Sequence, residues 1–274
     1  MSALREFQVD LHDGVTLSCA EHGDPSGQPV LLLHGYSDSW RSYRLLMPER
    51  PPTIRAIAVT LRGHGDSSKP AGDYDPAIFA SDVVGVMDAL AIARAVVVGH
   101  SMGSLVARRV AVEHAERVAA LMLIGGFASV KGNAAAEALW HDAIASMRDP
   151  VDPAFVRDFQ QSTLARPVPA AFFEEVVAQS RKMPARVWQS TFRALLDEDR
   201  SDDLARVAVP TTIVWGDQDA FSGRAEQERM AREIPQARLN VYTGTGHSPQ
   251  WEEPARVAGD LLALLLVSGA RRAA

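Results

Sequence analysis

The residues best suited to chemistry in this 274-residue chain lie in the pentapeptide Gly99-His100-Ser101-Met102-Gly103. The pentapeptide follows an apolar run at 95–98 and precedes a stretch with helical character at 104–114. Gly-x-Ser-x-Gly between a strand and a helix is typical of a nucleophile elbow, a sharp turn that exposes the serine hydroxyl. The pattern therefore predicts that Ser101 is a nucleophile. The alternative is an ordinary strand-to-helix turn, so the prediction depends on partners elsewhere in the chain.

A serine hydroxyl needs a base to take its proton, and His247 is the histidine best placed to act as one. It follows the last predicted strand through the glycine-flanked loop 243–246, which can carry an imidazole across the end of a sheet. His34, His64 and His100 also lie at strand ends, in glycine-rich loops, where we expect them to hold the backbone by hydrogen bonds. The remaining histidines lie in turns or helices with no chemical partner nearby in sequence: His12, His22, His114 and His141.

Two aspartates follow the preceding strand, and either could orient His247 and stabilise its protonated form. Asp219 lies three residues past Gly216, deeper in the loop, and is better placed to reach the His247 loop. Asp217 is the rival, although its side chain is better suited to cap backbone N–H groups in its own turn.

A tetrahedral intermediate also needs two N–H groups aimed at its developing oxyanion. The elbow can supply the backbone N–H of Met102. The loop that starts at His34-Gly35, after another apolar run, can supply the backbone N–H of Tyr36. The alternative for Tyr36 is an aromatic side chain in the pocket wall, and both roles are compatible because the donor belongs to the backbone.

These residues must be positioned by a sheet, and the chain alternates short apolar runs with stretches of helical spacing. Residues 5–22 predict two strands joined by a turn. Further strands are predicted at 30–33, 54–59, 96–98, 119–124, 211–215 and 238–242, and helices at 76–90, 104–114, 224–234 and 253–267. This alternation predicts an α/β fold with a parallel sheet covered by helices on both faces. Ligand sites of such sheets lie at the carboxyl ends of the strands.

Residues 127–206 interrupt the alternation and contain no convincing strand. They predict four helices punctuated by prolines, at 133–147, 153–164, 170–183 and 185–198. We therefore divide the chain into a core, residues 1–126 and 207–274, and a helical cap (lid) insertion, residues 127–206. The insertion starts at a strand end where ligands bind, which favours a lid over a helical subdomain with only a packing role.

Composition sets broad limits on partners and cofactors. The net charge of −6, with no basic run, argues against nucleic-acid or anionic-membrane partners. Cys19 is the only cysteine, so an internal disulfide and a cysteine-based metal site are excluded. The chain shows neither a secretory leader nor a 20-residue apolar run, and we expect a cytoplasmic protein. The serine chemistry requires no cofactor or metal, and the oligomeric state is left open.

Four phrases in order make the chain similar to the α/β-hydrolase superfamily: 62–67 (RGHGDS), 99–103 (GHSMG), 215–219 (WGDQD) and 246–247 (GH), the last with 252–254 (EEP) beyond. The resemblance implies an eight-stranded, mostly parallel sheet with a helical cap. It also implies Ser101 as nucleophile, His247 as base and Asp219 as orienting acid. Relatives often carry proline soon after the acid, whereas this chain has Phe221-Ser222-Gly223.

Within this superfamily, a serine at the elbow suits acyl transfer to water. We expect a carboxylic ester hydrolase acting on a neutral, mostly apolar small molecule, because no cluster of lysines or arginines awaits a charged acid. A lactonase of the enol-lactone or N-acyl-homoserine-lactone type is the first alternative, followed by a C–C hydrolase or a perhydrolase. The non-enzymatic alternative is a small-ligand binding protein on the same fold. We expect Phe127, Met183, Trp188 and Phe221 in the pocket.

Overall fold

The computed structural model describes residues 4–49 and 53–270. Eight strands form one sheet in the order β1-β2-β4-β3-β5-β6-β7-β8. Their bounds are β1 (Arg5–Asp10), β2 (Thr16–Gly23), β3 (Gln28–Leu33), β4 (Ile54–Val59), β5 (Ala95–His100), β6 (Val118–Ile124), β7 (Thr211–Gly216) and β8 (Ala237–Tyr242). Strand β2 runs antiparallel to β1 and β4, and the pairs from β4 to β8 are parallel. This confirms the predicted mostly parallel sheet.

Helices cover both faces of the sheet. Their bounds in the described residues are α1 (Pro76–Ala89), α2 (Met102–Glu113), α3 (Ala134–Leu139), α4 (Pro153–Ser162), α5 (Ala170–Ser180), α6 (Ala185–Asp197), α7 (Arg224–Glu233), α8 (Pro249–Glu252) and α9 (Pro254–Ala270). Successive residues of one strand face opposite sides. Leu31 and Leu33 of β3 therefore belong to the core shared with α1 and α2, whereas Val30 and Leu32 belong to the core shared with α9.

The helix predicted at 253–267 corresponds to α9, which begins one residue later, at Pro254, and a short helix, α8, precedes it. Glu253, between α8 and α9, has φ −135° and ψ 55°, outside the helical region. A proline disfavours helical geometry in the residue before it and lacks an N–H for the helix ladder. Helix α9 lays Leu261 and Leu264 against the sheet and leaves Leu266 exposed. No helix in the described ranges is long and apolar enough to cross a bilayer.

Helices α3 to α6 lie in the connection between β6 and β7, and residues 127–206 contain no strand. The connection begins at the carboxyl end of β6 and lies over the neighbouring loops at that edge of the sheet. The Tyr36 hydroxyl donates to the backbone oxygen of Trp188, 2.7 Å away. The backbone N–H of His247 donates to the oxygen of Thr163, 2.8 Å away. These two bonds join the inserted helices to loops that follow β3 and β8.

Candidate active site

Ser101 occupies a sharp turn between β5 and α2. Its φ of 52° and ψ of −120° lie in a region that residues other than glycine rarely adopt. Such strain persists only where the surroundings hold it, and it clusters at functional sites. A Cβ on Gly99 would lie 2.1 Å from the Gly103 oxygen, and a Cβ on Gly103 would lie 2.3 Å from the Leu33 oxygen. The two glycines are therefore required for α2 to cross β3 and β5 this closely.

The structure brings His247 and Asp219 together. The Nδ1 atom of His247 lies 2.8 Å from Oδ2 of Asp219, and both side chains are buried. Because a carboxylate accepts, Nδ1 carries the proton and Nε2 is left as the basic nitrogen. Burial opposes the charge of Asp219, but the His247 imidazole and hydrogen bonds from the loop outweigh it and hold the pKa of Asp219 below its usual range.

The loop of Asp219 differs from the pattern common in relatives, and the difference has a structural use. The backbone N–H groups of Phe221 and Ser222 donate to Oδ1 of Asp219 at 2.8 and 3.1 Å. The Ser222 hydroxyl donates to Oδ2 at 2.7 Å. A proline at position 221 could not make the first of these bonds. The carboxylate is thus fixed by its own loop before it contacts His247.

Asp217 lies apart from His247. Its Oδ1 accepts from the backbone N–H of Gly244 at 2.6 Å and from the Gln218 amide at 3.1 Å. Asp217 therefore ties the loop after β7 to the loop after β8, which is the backbone-capping role that the sequence favours for it.

The backbone around His247 is held on several sides. His100 donates from Nε2 to the oxygen of His247 at 3.0 Å, and Glu252 accepts from the N–H of Gly246 at 3.0 Å. A Cβ on Gly125, at the end of β6, would lie 2.7 Å from the His247 oxygen. The backbone of His247 is therefore held against the ends of β5 and β6, and its side chain lines the same cavity as Ser101.

Tyr36 and Met102 line the same cavity. Within the described residues, neither backbone N–H donates to another group, so both are available to a ligand atom. His34 supports the loop, because its Nδ1 donates to the Gly35 oxygen at 2.7 Å while Nε2 accepts from the N–H of Leu61 at 3.0 Å. This is the backbone-holding role expected of His34.

The cavity above Ser101 has a volume of about 410 Å³ and mostly apolar walls. Its large apolar lining residues are Tyr36, Phe127, Leu139, Phe155, Phe159, Phe192, Leu195 and Phe221. Phe221 and Phe127 flank the imidazole of His247, with ring centroids 4.8 and 5.9 Å away.

Two of the four residues expected in the pocket do not reach it. Trp188 is fully buried behind the wall, in edge contact with Tyr36 at 5.0 Å between ring centroids. Met183 is buried in the same core and does not line the cavity. Helical spacing marks both as apolar and inward-facing. It does not separate a residue that faces the cavity from one that packs behind it, because both surroundings are apolar.

Two polar residues of the wall escape the sequence analysis. Asp38 follows the Tyr36 loop, and Gln160 lies on α4; both are buried. Burial raises the pKa of Asp38 to about 7, although Ser42, Gln160 and His247 favour its charged form. A carboxylate four residues after His34, at a strand end, is a signal that could have found Asp38. Nothing in the sequence around Gln160 marks it.

The family model described as "Alpha/beta hydrolase family" matches residues 30–261, most of the chain. The order of the strands and the turn at Ser101 agree with this match. The protein belongs to the alpha/beta hydrolase family.

Individual relatives cover most of the chain. It is 32% identical to a 2-hydroxymuconate semialdehyde hydrolase of Pseudomonas sp. (strain CF600), over 88% of this chain and 89% of the relative. It is 30% identical to a non-heme haloperoxidase of Rhodococcus erythropolis, over 94% of this chain and 98% of that relative. Among solved structures, that of an esterase from Thermogutta terrifontis is similar, with a TM-score of 0.81 and 26% sequence identity. The match covers 96% of this chain and 99% of the esterase.

Proposed function

We propose that the protein is a serine hydrolase that cleaves a carboxylic ester of a neutral, mostly apolar small molecule through an acyl-enzyme on Ser101. One observation carries the proposal. A serine on a strained turn shares an apolar cavity with a histidine whose Nδ1 is bonded to a buried aspartate. This arrangement leaves Nε2 of His247 as the base that a serine hydroxyl needs.

In the first half of the proposed reaction, Oγ of Ser101 adds to the ester carbonyl carbon and its proton passes to Nε2 of His247. The carbonyl oxygen becomes an oxyanion and accepts from the N–H groups of Tyr36 and Met102. Each such donor typically lowers the barrier by about 3 kcal/mol. The C–O bond then breaks, His247 protonates the departing alcohol oxygen, and the acyl group stays on Ser101.

In the second half, water takes the place of the alcohol. His247 removes a proton from the water as its oxygen adds to the acyl carbon, and the same two N–H groups bind the oxyanion. The bond to Ser101 then breaks, and its oxygen recovers the proton from His247. Asp219 remains charged and holds the imidazolium through Nδ1, as its lowered pKa favours.

We further propose that residues 127–206 act as a cap on a core formed by residues 1–126 and 207–274. Phe155, Phe159 and Phe192 of this segment line the cavity that also contains Ser101. A dry wall of this kind favours apolar acyl or alcohol groups and strengthens the electrostatic interactions inside the site. In this proposal the core supplies the chemistry, and the cap selects the substrate.

A C–C hydrolase is the second candidate, and the 2-hydroxymuconate semialdehyde hydrolase at 32% identity is the observation that favours it. Both reactions would use the same serine, base and oxyanion donors. They differ in the leaving group, which is an alcohol oxygen in an ester and a carbon in a vinylogous diketone. A lactone would be opened by the same steps as an ester.

A serine-directed fluorophosphonate, followed by intact-mass analysis and peptide mapping, tests the shared chemistry. We expect one adduct, on Ser101, and none in the Ser101→Ala variant. Turnover by that variant should fall by about 10³-fold or more. An unmodified wild-type chain, or a fully active Ser101→Ala variant, would contradict the proposal.

Substrate panels then separate the candidates. We expect p-nitrophenyl esters of short apolar acids to be turned over faster than γ-lactones and vinylogous diketones. A kcat/KM that is highest for a diketone would replace the ester hydrolase by the C–C hydrolase. A strong preference for esters of dicarboxylic acids would contradict the neutral, apolar substrate.

A further inference from the structure

Part of the wall of the apolar cavity is polar, and it is formed by the side chains of Asp38 and Gln160. Asp38 comes two residues after Tyr36, and its side chain is 3% exposed. The Gln160 side chain reaches in from α4 and donates from Nε2 to Oδ1 of Asp38 at 3.0 Å. The Oγ atoms of Ser37 and Ser180 lie 3.0 and 2.9 Å from the same Nε2. The mechanism proposed above uses none of these groups.

The second oxygen of Asp38 faces an unpartnered nitrogen. His100 must carry its proton on Nε2, because that atom lies 3.0 Å from the oxygen of His247, which can only accept. Burial lowers the pKa of His100 to about 3, so the ring is neutral and Nδ1 is an acceptor. Among the described residues, Nδ1 has no hydrogen-bond partner. It lies 3.9 Å from Oδ2 of Asp38, too far for a hydrogen bond.

This polar group lies directly beside the reacting centre. A Cβ on Gly35 would lie 2.9 Å from Nδ1 of His100 and 3.2 Å from Cβ of Ser101. Asp38, His100 and Ser101 therefore surround one end of the cavity, next to the proposed oxyanion donor Tyr36. Buried polar groups with incomplete partners are costly, and sites that retain them near a ligand use them to fix its orientation.

We infer that Asp38 and Gln160 form a subsite for a hydroxyl group on the acyl part of the substrate, a few bonds from the scissile carbonyl. This inference rests on the ester hydrolysis proposed above, and it restricts the proposed substrates to esters whose acyl part carries a hydroxyl group. An otherwise apolar ester with one hydroxyl would satisfy both the aromatic walls and the polar end of the cavity.

A hydroxyl is favoured over other polar groups by the chemistry of Asp38. With a pKa raised by burial to about 7, the carboxyl is present in both forms near neutral pH. A hydroxyl donates to the ionised form and accepts from the protonated form, so it pairs with either. A substrate carboxylate would be repelled by the ionised form, and a methyl group would leave Nδ1 of His100 without a hydrogen-bond partner.

The test compares two esters of equal size, p-nitrophenyl 3-hydroxybutyrate and p-nitrophenyl 3-methylbutyrate, which differ by a hydroxyl in place of a methyl. We expect wild-type kcat/KM to favour the hydroxy ester by about tenfold or more, because a buried polar site rejects an analogue that lacks its partner. In Asp38→Leu, the ratio of kcat/KM for the hydroxy ester to kcat/KM for the methyl ester should fall about tenfold or more. Asp38→Asn, which keeps a donor and an acceptor, should retain most of it.

Asp158→Asn is the matched control, because Asp158 is an exposed carboxylate that lines the same cavity. Its ratio should equal that of the wild type if Asp38, and not general negative charge, sets the preference. Gln160→Met removes the other half of the subsite and should lower the ratio in the same direction. It provides a second variant if Asp38→Leu does not fold.

A wild-type ratio near one would overturn the subsite, and so would a ratio unchanged in both Asp38→Leu and Gln160→Met. An equal fall in Asp158→Asn would also overturn it. The failure of the proposed function is visible separately, since the wild type would then hydrolyse neither ester and form no phosphonate adduct on Ser101. Hydrolysis of the 3-methyl ester without a preference leaves the ester hydrolase standing and removes only the subsite.

Discussion

Asp217 and Asp219 stand two residues apart after β7 and have different surroundings. Oδ2 of Asp219 lies 2.8 Å from Nδ1 of His247, whereas Asp217 accepts from the backbone of Gly244. We predict that Asp219→Asn lowers kcat for p-nitrophenyl esters by about 10⁴-fold, because an amide N–H facing Nδ1 moves the imidazole proton to Nε2 and removes the base. Steady-state assays at saturating ester measure this change.

Asp217→Asn is the control for that measurement. Its amide oxygen can still accept from Gly244, so kcat should stay close to the wild-type value. Equal losses in the two variants would mean that the loop, and not the orientation of His247, accounts for the effect of Asp219.

At the level of single residues, the sequence predicts the parts of the site that depend on short-range structure. Ser101, Asp219 and His247 each lie in a glycine-containing loop just after a strand, and parallel strands bring such loops to one edge of the sheet. Gln160 cannot be placed in this way. Its contact with Asp38 joins residues 122 positions apart and depends on how α4 packs over the sheet.

Among elements, α2 crosses the sheet at close range. A Cβ on Gly103 would meet the backbone oxygens of Leu33 and His34 at 2.3 and 2.6 Å, and a backbone cannot move aside like a flexible side chain. We predict that Gly103→Ala lowers the free energy of unfolding by about 3 kcal/mol or more. Urea denaturation followed by circular dichroism measures this, and the variant should also lose ester turnover as Ser101 is displaced.

Gly259 on α9 is the matched glycine, because a Cβ there meets nothing within 4 Å. Gly259→Ala should raise the free energy of unfolding by about 0.5–1 kcal/mol, since alanine is the better helix former. A Gly103→Ala variant as stable as the wild type would show that α2 can shift without cost.

Element types follow from the sequence more readily than element ends. Hydrophobic spacing predicts the helices between β6 and β7 and the parallel strands, because both patterns are local. The helix predicted at 253–267 begins at Pro254 and extends to Ala270, and the short helix α8 before it is not among the predicted helices. Which side chains of a helix face the cavity depends on tertiary packing: on α6, Phe192 lines the cavity, whereas Trp188 packs against Tyr36.

For the whole molecule, Asp38 should make stability depend on pH. Its pKa rises from an ordinary 3.8 to about 7 on folding, so the folded state binds more protons than the unfolded state between these values. The contribution of Asp38 to the free energy of unfolding is therefore lost as the pH rises from about 4 to 7. The Asp38→Asn variant lacks this titration, and its stability relative to wild type should increase by up to about 4 kcal/mol between pH 4 and pH 8.

Urea denaturation of both proteins across this pH range measures the difference, which cancels the titration of the other acids. The nearby imidazole of His100, 3.9 Å from Oδ2 of Asp38, is present in both proteins. A constant difference between the two proteins at all pH values would show that Asp38 is ionised throughout.

Two of the hydrogen bonds that join the inserted helices to the sheet loops limit how a ligand can enter. One is made by the side chain of Tyr36 and the other by the backbone of His247, so lifting the helices as a rigid body would pull on the proposed oxyanion donor and on the proposed base together. We expect entry instead through gaps that open as rim side chains rotate. The radius of gyration of the protein would then be the same with and without a bound inhibitor. The width of the cavity rim would set an upper limit on the width of the substrates that can enter.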